Sequence, residues 1–191
     1  MRVRNSCLER LPYTRENGFE MASRQDLYDE VVRTFGPALE RLARAYEADP
    51  DTRRDLLQDI HLALWRSFET FDARCALRTW IYRVAHNVAT SHVIRAHRLK
   101  SRQPLSLDSL DTIADSSDAE SDANRRLVLE RLMSLIQRLS PLDRQVILLF
   151  LEGVDASSIG EITGISSGNV ATKIHRIKNI LVHQFHLGGT S

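Results

Sequence analysis

Asp155-Ala-Ser-Ser-Ile-Gly-Glu-Ile-Thr-Gly-Ile-Ser-Ser-Gly-Asn-Val-Ala-Thr-Lys-Ile-His-Arg176 is the stretch whose reading decides the fold. Asp155 can cap a short helix running through Ile159 and Ile162. Gly164 supplies a sharp turn, and Ser166 caps a second helix from Ser167 to about Leu181. Two short helices around a glycine-containing turn make the helix-turn-helix pattern. Ile159, Ile162, Ile165, Val170, Ile174 and Ile177 recur at spacings that lock the pair across the turn. The outer face of the second helix then carries Ser167, Asn169, Thr172, Lys173 and Arg176, and no acid follows Glu161. Short polar and basic groups in that arrangement reach base edges and phosphates from a helix lying in the major groove. The competing reading at this point is an ordinary helical hairpin with a solvated polar face.

Upstream of this stretch the pattern stays helical. Ser140 is a good N-cap, Pro141 suits the first helical position, and Asp143 adds negative charge near the positive helix end. The apolar run Val146 to Leu151 follows, and Gly153 stops that helix. Before Ser140, the spacing of Leu127, Leu129, Leu132, Leu135, Ile136 and Leu139 predicts a packed helix. Residues 103–124 are different: Asp108, Asp111, Asp115, Asp118, Glu120 and Asp122 stand there without a single base. A Ser- and Asp-rich stretch poor in aromatics cannot bury enough surface to order itself, so it reads as a flexible acidic linker. Residues 78–102 invert that charge, with Arg78, Arg83, Arg95, Arg98, Lys100 and Arg102 and no acid.

The expected architecture is all-α, with two small helical domains at 24–102 and 125–187 joined by the linker 103–124 and preceded by a loose leader, 1–23, in which Met21 is a second available start. In the first domain, Leu27, Val31, Phe35, Leu39 and Leu42 form one stripe, with Gly36-Pro37 allowing a kink or break. A second helix after Asp49-Pro50-Asp51 buries Leu56, Leu57, Ile60, Leu64, Trp65 and Phe68, and leaves Asp55, Gln58, Asp59 and Arg66 for another face. A third, from Leu77 to Leu99, turns Trp80, Ile81, Val84, Val88 and Val93 inward and its basic residues outward. Trp80 and Tyr82, interleaved with Arg78 and Arg83, pair a phosphate-tracking surface with rings on which unpaired bases could stack, although the spacing of Trp80 with Val84 favours a core role for it.

Composition narrows the function classes. Net charge is +1, which excludes a bulk polycation, while 42% hydrophobic and 27% charged residues over 191 fit one domain or two small ones. The Val146 to Leu151 run is far short of the roughly 18 residues of a membrane span. Arg2, Arg4, Glu9, Arg10, Arg15 and Glu16 interrupt any secretory h-region. Cys7 and Cys75 lie far apart with no CxxC pair, which points to a reducing cytoplasm and no zinc module. His183 and His186 could share a helix face but lack a third ligand, so neither metal nor cofactor is assigned.

Three segments, in order, resemble the sigma-seventy family of RNA polymerase sigma factors, in its small two-domain extracytoplasmic-function group. Asp55-Leu-Leu-Gln-Asp-Ile-His-Leu-Ala-Leu-Trp65-Arg is similar to the family's Asp-Leu-x-Gln-Glu-x-Phe-x-x-Leu-Trp segment, which binds the clamp helices of core polymerase. Phe71-Asp-Ala-Arg-Cys-Ala-Leu-Arg-Thr-Trp80-Ile-Tyr-Arg-Val-Ala-His-Asn87 resembles the strand-opening, minus-ten segment, and Glu161 to Arg176 resembles the minus-thirty-five helix-turn-helix. The likeness covers roughly residues 26–183. Departures are Leu77 for a frequent Phe, Ser91 for Asp, His86 for Arg, Gly160 for Ala, Ser167 for Glu and Ala171 for Lys.

The resemblance implies a dissociable specificity subunit without catalytic chemistry. Asp55, Gln58, Asp59 and Arg66 would dock on core RNA polymerase. Asp72, Arg74, Arg78, Arg83, Asn87, Arg95 and Arg98 would hold the melted non-template strand of the minus-ten element. Ser167, Asn169, Thr172, Lys173 and Arg176 would read the minus-thirty-five duplex. The acidic linker would thread polymerase channels that otherwise hold nucleic acid, or act as a plain tether. An anti-sigma factor is the expected regulator by fold-level inheritance. Two other classes remain at this stage: a stand-alone helix-turn-helix regulator, against which the aromatic-basic segment 71–100 argues, and an enzyme of nucleic-acid metabolism, for which clustered acids are missing.

Overall fold

Seven helices account for the regular structure of the described residues, 24–100 and 120–187 of a computed structural model: α1 (Arg24–Tyr46), α2 (Pro50–Ser67), α3 (Leu77–Lys100), α4 (Glu120–Gln137), α5 (Pro141–Leu151), α6 (Ala156–Thr163) and α7 (Ser167–Leu187). The predicted leader, and the linker as far as residue 119, lie outside the described residues.

The helix starts follow from their capping residues. Asp49 accepts the Thr52 N–H at 2.8 Å ahead of Pro50. Ser140 accepts from the Asp143 N–H ahead of Pro141. Asp155 accepts from the N–H groups of Ser157 and Ser158, both at 3.0 Å. Each satisfies backbone donors that a helix start leaves orphaned. Gly164 ends α6 at φ +76°, a left-handed conformation that costs glycine nothing. α1 runs unbroken through Pro37, so the Gly36-Pro37 pair marks neither a break nor an end.

α1, α2 and α3 share a core of Val31, Phe35, Leu39, Leu56, Ile60, Leu64, Ile81 and Ala85, each buried. At roughly 1.5–3 kcal/mol for each large side chain removed from water, this stripe dominates the stability of the unit. Tyr46 Oη and His86 Nδ1, 3.0 Å apart, satisfy each other inside it. The second core, between α5, α6 and α7, buries Val146, Ile147, Leu149, Ile159, Ile162, Val170 and Ile177. Arg144, also buried, donates to the Gln137 and Leu139 carbonyls at the end of α4. Its guanidinium lies 5.1 Å above the Tyr46 ring.

The two units pack on one another. Arg41 on α1 makes a bidentate pair with Glu152 beyond α5, with both N–O distances 2.8 Å. Gln137 donates to the Arg44 carbonyl at 2.8 Å. From α3, Arg78 donates to the Glu152 carbonyl and Arg83 reaches the Glu161 carbonyl at 3.4 Å.

Four expectations are corrected. Arg78 does not face open solvent, because the Glu152 carbonyl that closes α5 takes it, and Arg83 is only partly exposed, reaching the Glu161 carbonyl within α6. Tyr82 is buried against Phe35 and beneath Arg78, so it offers no stacking platform. The predicted linker ends early, since the backbone of residues 120–124 is already helical at the start of α4. Leu127 and Leu129 are half exposed rather than packed, whereas Leu132, Leu135 and Ile136 of the same helix join the core.

Candidate nucleic-acid interface

The strongest candidate surface is built on α7. Ser166 at its start accepts the Asn169 N–H at 3.3 Å, and Val170 and Ile177 fix the opposite face in the core. That anchoring leaves Ser167, Asn169 and Thr172 exposed on one side. Thr172 Oγ1 donates back to the Gly168 carbonyl at 3.1 Å, which holds its rotamer and leaves its oxygen able to accept.

Lys173 and Arg176 share that side but are not free. Lys173 Nζ lies 2.7 Å from Asp143 Oδ1 and Arg176 Nη2 lies 2.7 Å from Asp143 Oδ2. Burial pushes the Asp143 carboxyl up, yet hydrogen bonds from Lys173 and Ser140 and the charges of Lys173 and Arg176 outweigh it and hold the group below the ordinary 3.8. The third cation of this segment, Lys178, has its ammonium 4.6 Å from the centre of the Phe150 ring. Asp143 is the residue that sequence reasoning missed. Its place at the third position of α5 was legible as a helix-start charge, but a partner 30 and 33 residues further on leaves no local signal.

In the N-terminal unit, Asp55, Gln58, Asp59 and Arg66 are all exposed on one side of α2. Between α2 and α3 a shallow groove brings Asp59 and Arg66 beside Asn87, Ser91 and Arg95, with Leu62 also in its lining. Arg95 and Arg98 are exposed on α3. The loop from Phe71 to Ala76 holds Asp72 and Arg74 against one another, with Arg74 Nε 2.8 Å from Asp72 Oδ2 and the Arg74 N–H 3.2 Å from Oδ1. Between them Ala73 takes φ +57°, a left-handed conformation that non-glycine residues rarely adopt. Trp80, half-buried, donates through Nε1 to Ser67 Oγ at 3.0 Å and packs on Phe71. The residues expected at a minus-ten strand are therefore divided. Asn87, Arg95 and Arg98 are exposed on α3, Asp72 and Arg74 pair in the loop, and Arg78 and Arg83 reach backbone oxygens of the C-terminal unit.

Two family models match these same two units in chain order. Sigma-70 region 2 matches residues 31–99 and Sigma-70 region 4 matches residues 129–181. The chain belongs to the sigma-70 family. Its relatives place it in the ECF group. It is 25% identical over 126 residues to the RNA polymerase sigma factor NccH of Alcaligenes xylosoxydans xylosoxydans, covering 65% of this chain and 68% of that protein. To the RNA polymerase sigma-E factor of Streptomyces coelicolor it is 27% identical, covering 78% of this chain and 80% of the relative. To the ECF RNA polymerase sigma factor SigW of Bacillus subtilis it is 23% identical, covering 84% and 89%.

Two solved structures share the fold. The sigma factor RpoE of Bartonella quintana, in complex with the anti-sigma factor NepR, aligns with a TM-score of 0.65 at 20% identity over 85% of this chain and 98% of that one. CnrH, in complex with the cytosolic domain of CnrY, aligns at 0.61 and 22% over 87% and 91%. In the terms of this family, α1 to α3 form region 2 and α4 to α7 form region 4. The matched region 4 span begins at Leu129, inside α4, and the region 2 span begins at Val31, inside α1. Among the described residues no helix is long and apolar enough to cross a membrane, and no three His, Cys, Asp or Glu side chains cluster as a metal site.

Proposed function

We propose that this ECF sigma factor joins core RNA polymerase through the exposed side of α2, with Asp55, Gln58, Asp59 and Arg66 as the docking residues. It holds the opened non-template strand of a minus-ten element with the Asp72–Ala76 loop and α3, and reads a minus-thirty-five duplex with Ser167, Asn169, Thr172, Lys173 and Arg176 of α7. The observation that carries this reading is a capped helix-turn-helix with an outward polar face, in the same chain as a region 2 unit whose polymerase-type and strand-type residues meet along one groove.

No step in this account is chemical. Opening the duplex costs a few kcal/mol per flipped base, which binding of the released strand has to supply. The polymerase contributes catalysis, and the sigma factor contributes position and sequence choice in the cytoplasm. Because Arg78 and Arg83 rest on region 4 carbonyls, regions 2 and 4 must separate before those two arginines can touch a strand. Polymerase docking is the event that supplies the separation. Apart from the polymerase, the chain then has weak affinity for DNA. A protein partner of the anti-sigma class, like the partners of the two structural relatives, fits the same logic by keeping the regions together.

Role-separating variants test the reading in a reconstituted holoenzyme. Asp59→Ala is expected to weaken polymerase binding while the melting temperature stays near wild type. Lys173→Ala with Arg176→Ala is expected to keep polymerase binding and to lose protection of the minus-thirty-five duplex. Exchange of the two effects would overturn the assignment of roles.

A further inference from the structure

Asp143 is the one acid that the described part of region 4 directs at the cations of α7. Its side chain is 12% exposed, while Lys173 and Arg176 are 26% and 57% exposed. Ser140 fixes its backbone by accepting the Asp143 N–H, and position three of α5 places it within the positive end of that helix. Its two oxygens are divided, one to each cation, at 2.7 Å. The carboxylate therefore cannot turn toward either partner without releasing the other.

We propose that Asp143 is a positioning residue for duplex reading by α7. By tying Lys173 and Arg176 to one buried carboxylate, it restrains them from phosphates at large and aims them at the register in which Asn169 and Thr172 meet base edges. This rests on the reading of α7 as the duplex-contacting helix. Phosphate contacts carry affinity but no sequence information, and each cation released to a phosphate adds about 0.9 to the salt slope of binding whatever the sequence. A helix with two mobile cations would bind all DNA more tightly and discriminate less. Holding them at a shared carboxylate brings the local charge from +2 to +1. Arg176 has five N–H donors, so those not facing Asp143 stay available to DNA in a fixed orientation. A carboxylate this close also repels any phosphate that approaches off register.

The test uses reconstituted holoenzyme and two duplex probes: a promoter fragment recovered by run-off selection, and the same fragment with its minus-thirty-five segment scrambled. Asp143→Asn is expected to tighten binding to the scrambled probe several-fold at low salt and to steepen its salt slope by about one to two. The preference for the intact probe should fall by about tenfold, within the range set by one or two base-pair contacts. Asp143→Glu, which keeps the charge, is expected to stay within about twofold of wild type. An unchanged preference in Asp143→Asn, a parallel loss on both probes with a lowered melting temperature, or Asp143→Glu behaving like Asp143→Asn would each overturn the proposal. Failure of the reading beneath it shows separately, as a wild-type holoenzyme that does not distinguish the two probes.

Discussion

His86 stands where the family often has arginine, and its surroundings say what it does instead. It is 1% exposed, bonded to Tyr46, and lies against the Tyr82 ring. Burial lowers its pKa from 6.5 to about 3, so the ring is neutral in the folded chain at neutral pH. Tyr46, pushed up to about 12 by burial, and Tyr82, also raised by burial, do not titrate in that window. The sign follows directly. Above pH 6.5 neither state is protonated and the full stability is present. As pH falls toward 3 the unfolded chain takes up a proton that the folded one refuses, at a cost of up to about 1.4 kcal/mol per pH unit. Urea unfolding at pH 7 and pH 5 is expected to show this loss, and His86→Leu to flatten it while lowering stability at pH 7 by about 1–2 kcal/mol. A wild-type chain equally stable at both values would contradict the buried, neutral ring. Asp143 behaves oppositely in range: with its carboxyl held below 3.8, its ion pairs persist through the neutral region and weaken only in stronger acid.

Among the elements, α6 shows how a residue exchange can be misjudged from the chain alone. Gly160 in place of a frequent alanine reads as a tolerated loss of about 1 kcal/mol of helix propensity. In the fold, a Cβ at this position would meet the Ile165 backbone oxygen at 2.7 Å, so the turn of the helix-turn-helix closes onto a bare Cα. Gly160→Ala is therefore expected to destabilise region 4 by about 1–3 kcal/mol in spite of its better propensity, read as a lowered thermal midpoint. Asp155→Ala is expected to cost about 1 kcal/mol through the lost cap. Helix positions were legible because leucine and isoleucine spacing, proline and capping residues are local signals, and α2, α5, α6 and α7 start where those signals put them. α4 was legible only in part. Its acidic first turn has the composition of a linker, and leucine spacing does not reveal that Leu127 and Leu129 stay half exposed. The α7 polar face could be read from the chain, whereas the Asp143 carboxylate behind two of its cations could not.

At the scale of the whole molecule, the near-neutral total of +1 conceals a segregated charge, and the fold then uses part of that charge internally. Arg41, Arg78 and Arg83 of region 2 all meet region 4 oxygens, and Arg144 of region 4 lies on Tyr46 of region 2. None of these pairings is local, so sequence periodicity could not show that the two units close on each other. The Arg41–Glu152 pair is partly exposed and worth about 1 kcal/mol at most, which is weak enough for the proposed opening of the interface. Glu152→Arg is expected to enlarge the radius of gyration measured by small-angle scattering, and the exchanged double variant Arg41→Glu with Glu152→Arg to restore it. An unchanged radius in the single variant would show that this pair does not hold the regions together.

The central claim is that the chain confers promoter choice on core RNA polymerase, and run-off transcription from a library of promoter fragments tests it most directly. The account predicts discrete transcripts that require both the chain and the core enzyme, from fragments sharing a minus-ten and a minus-thirty-five element at fixed spacing. Absence of any chain-dependent transcript together with absence of polymerase binding would contradict it. So would tight, sequence-specific binding of promoter duplex by the chain alone.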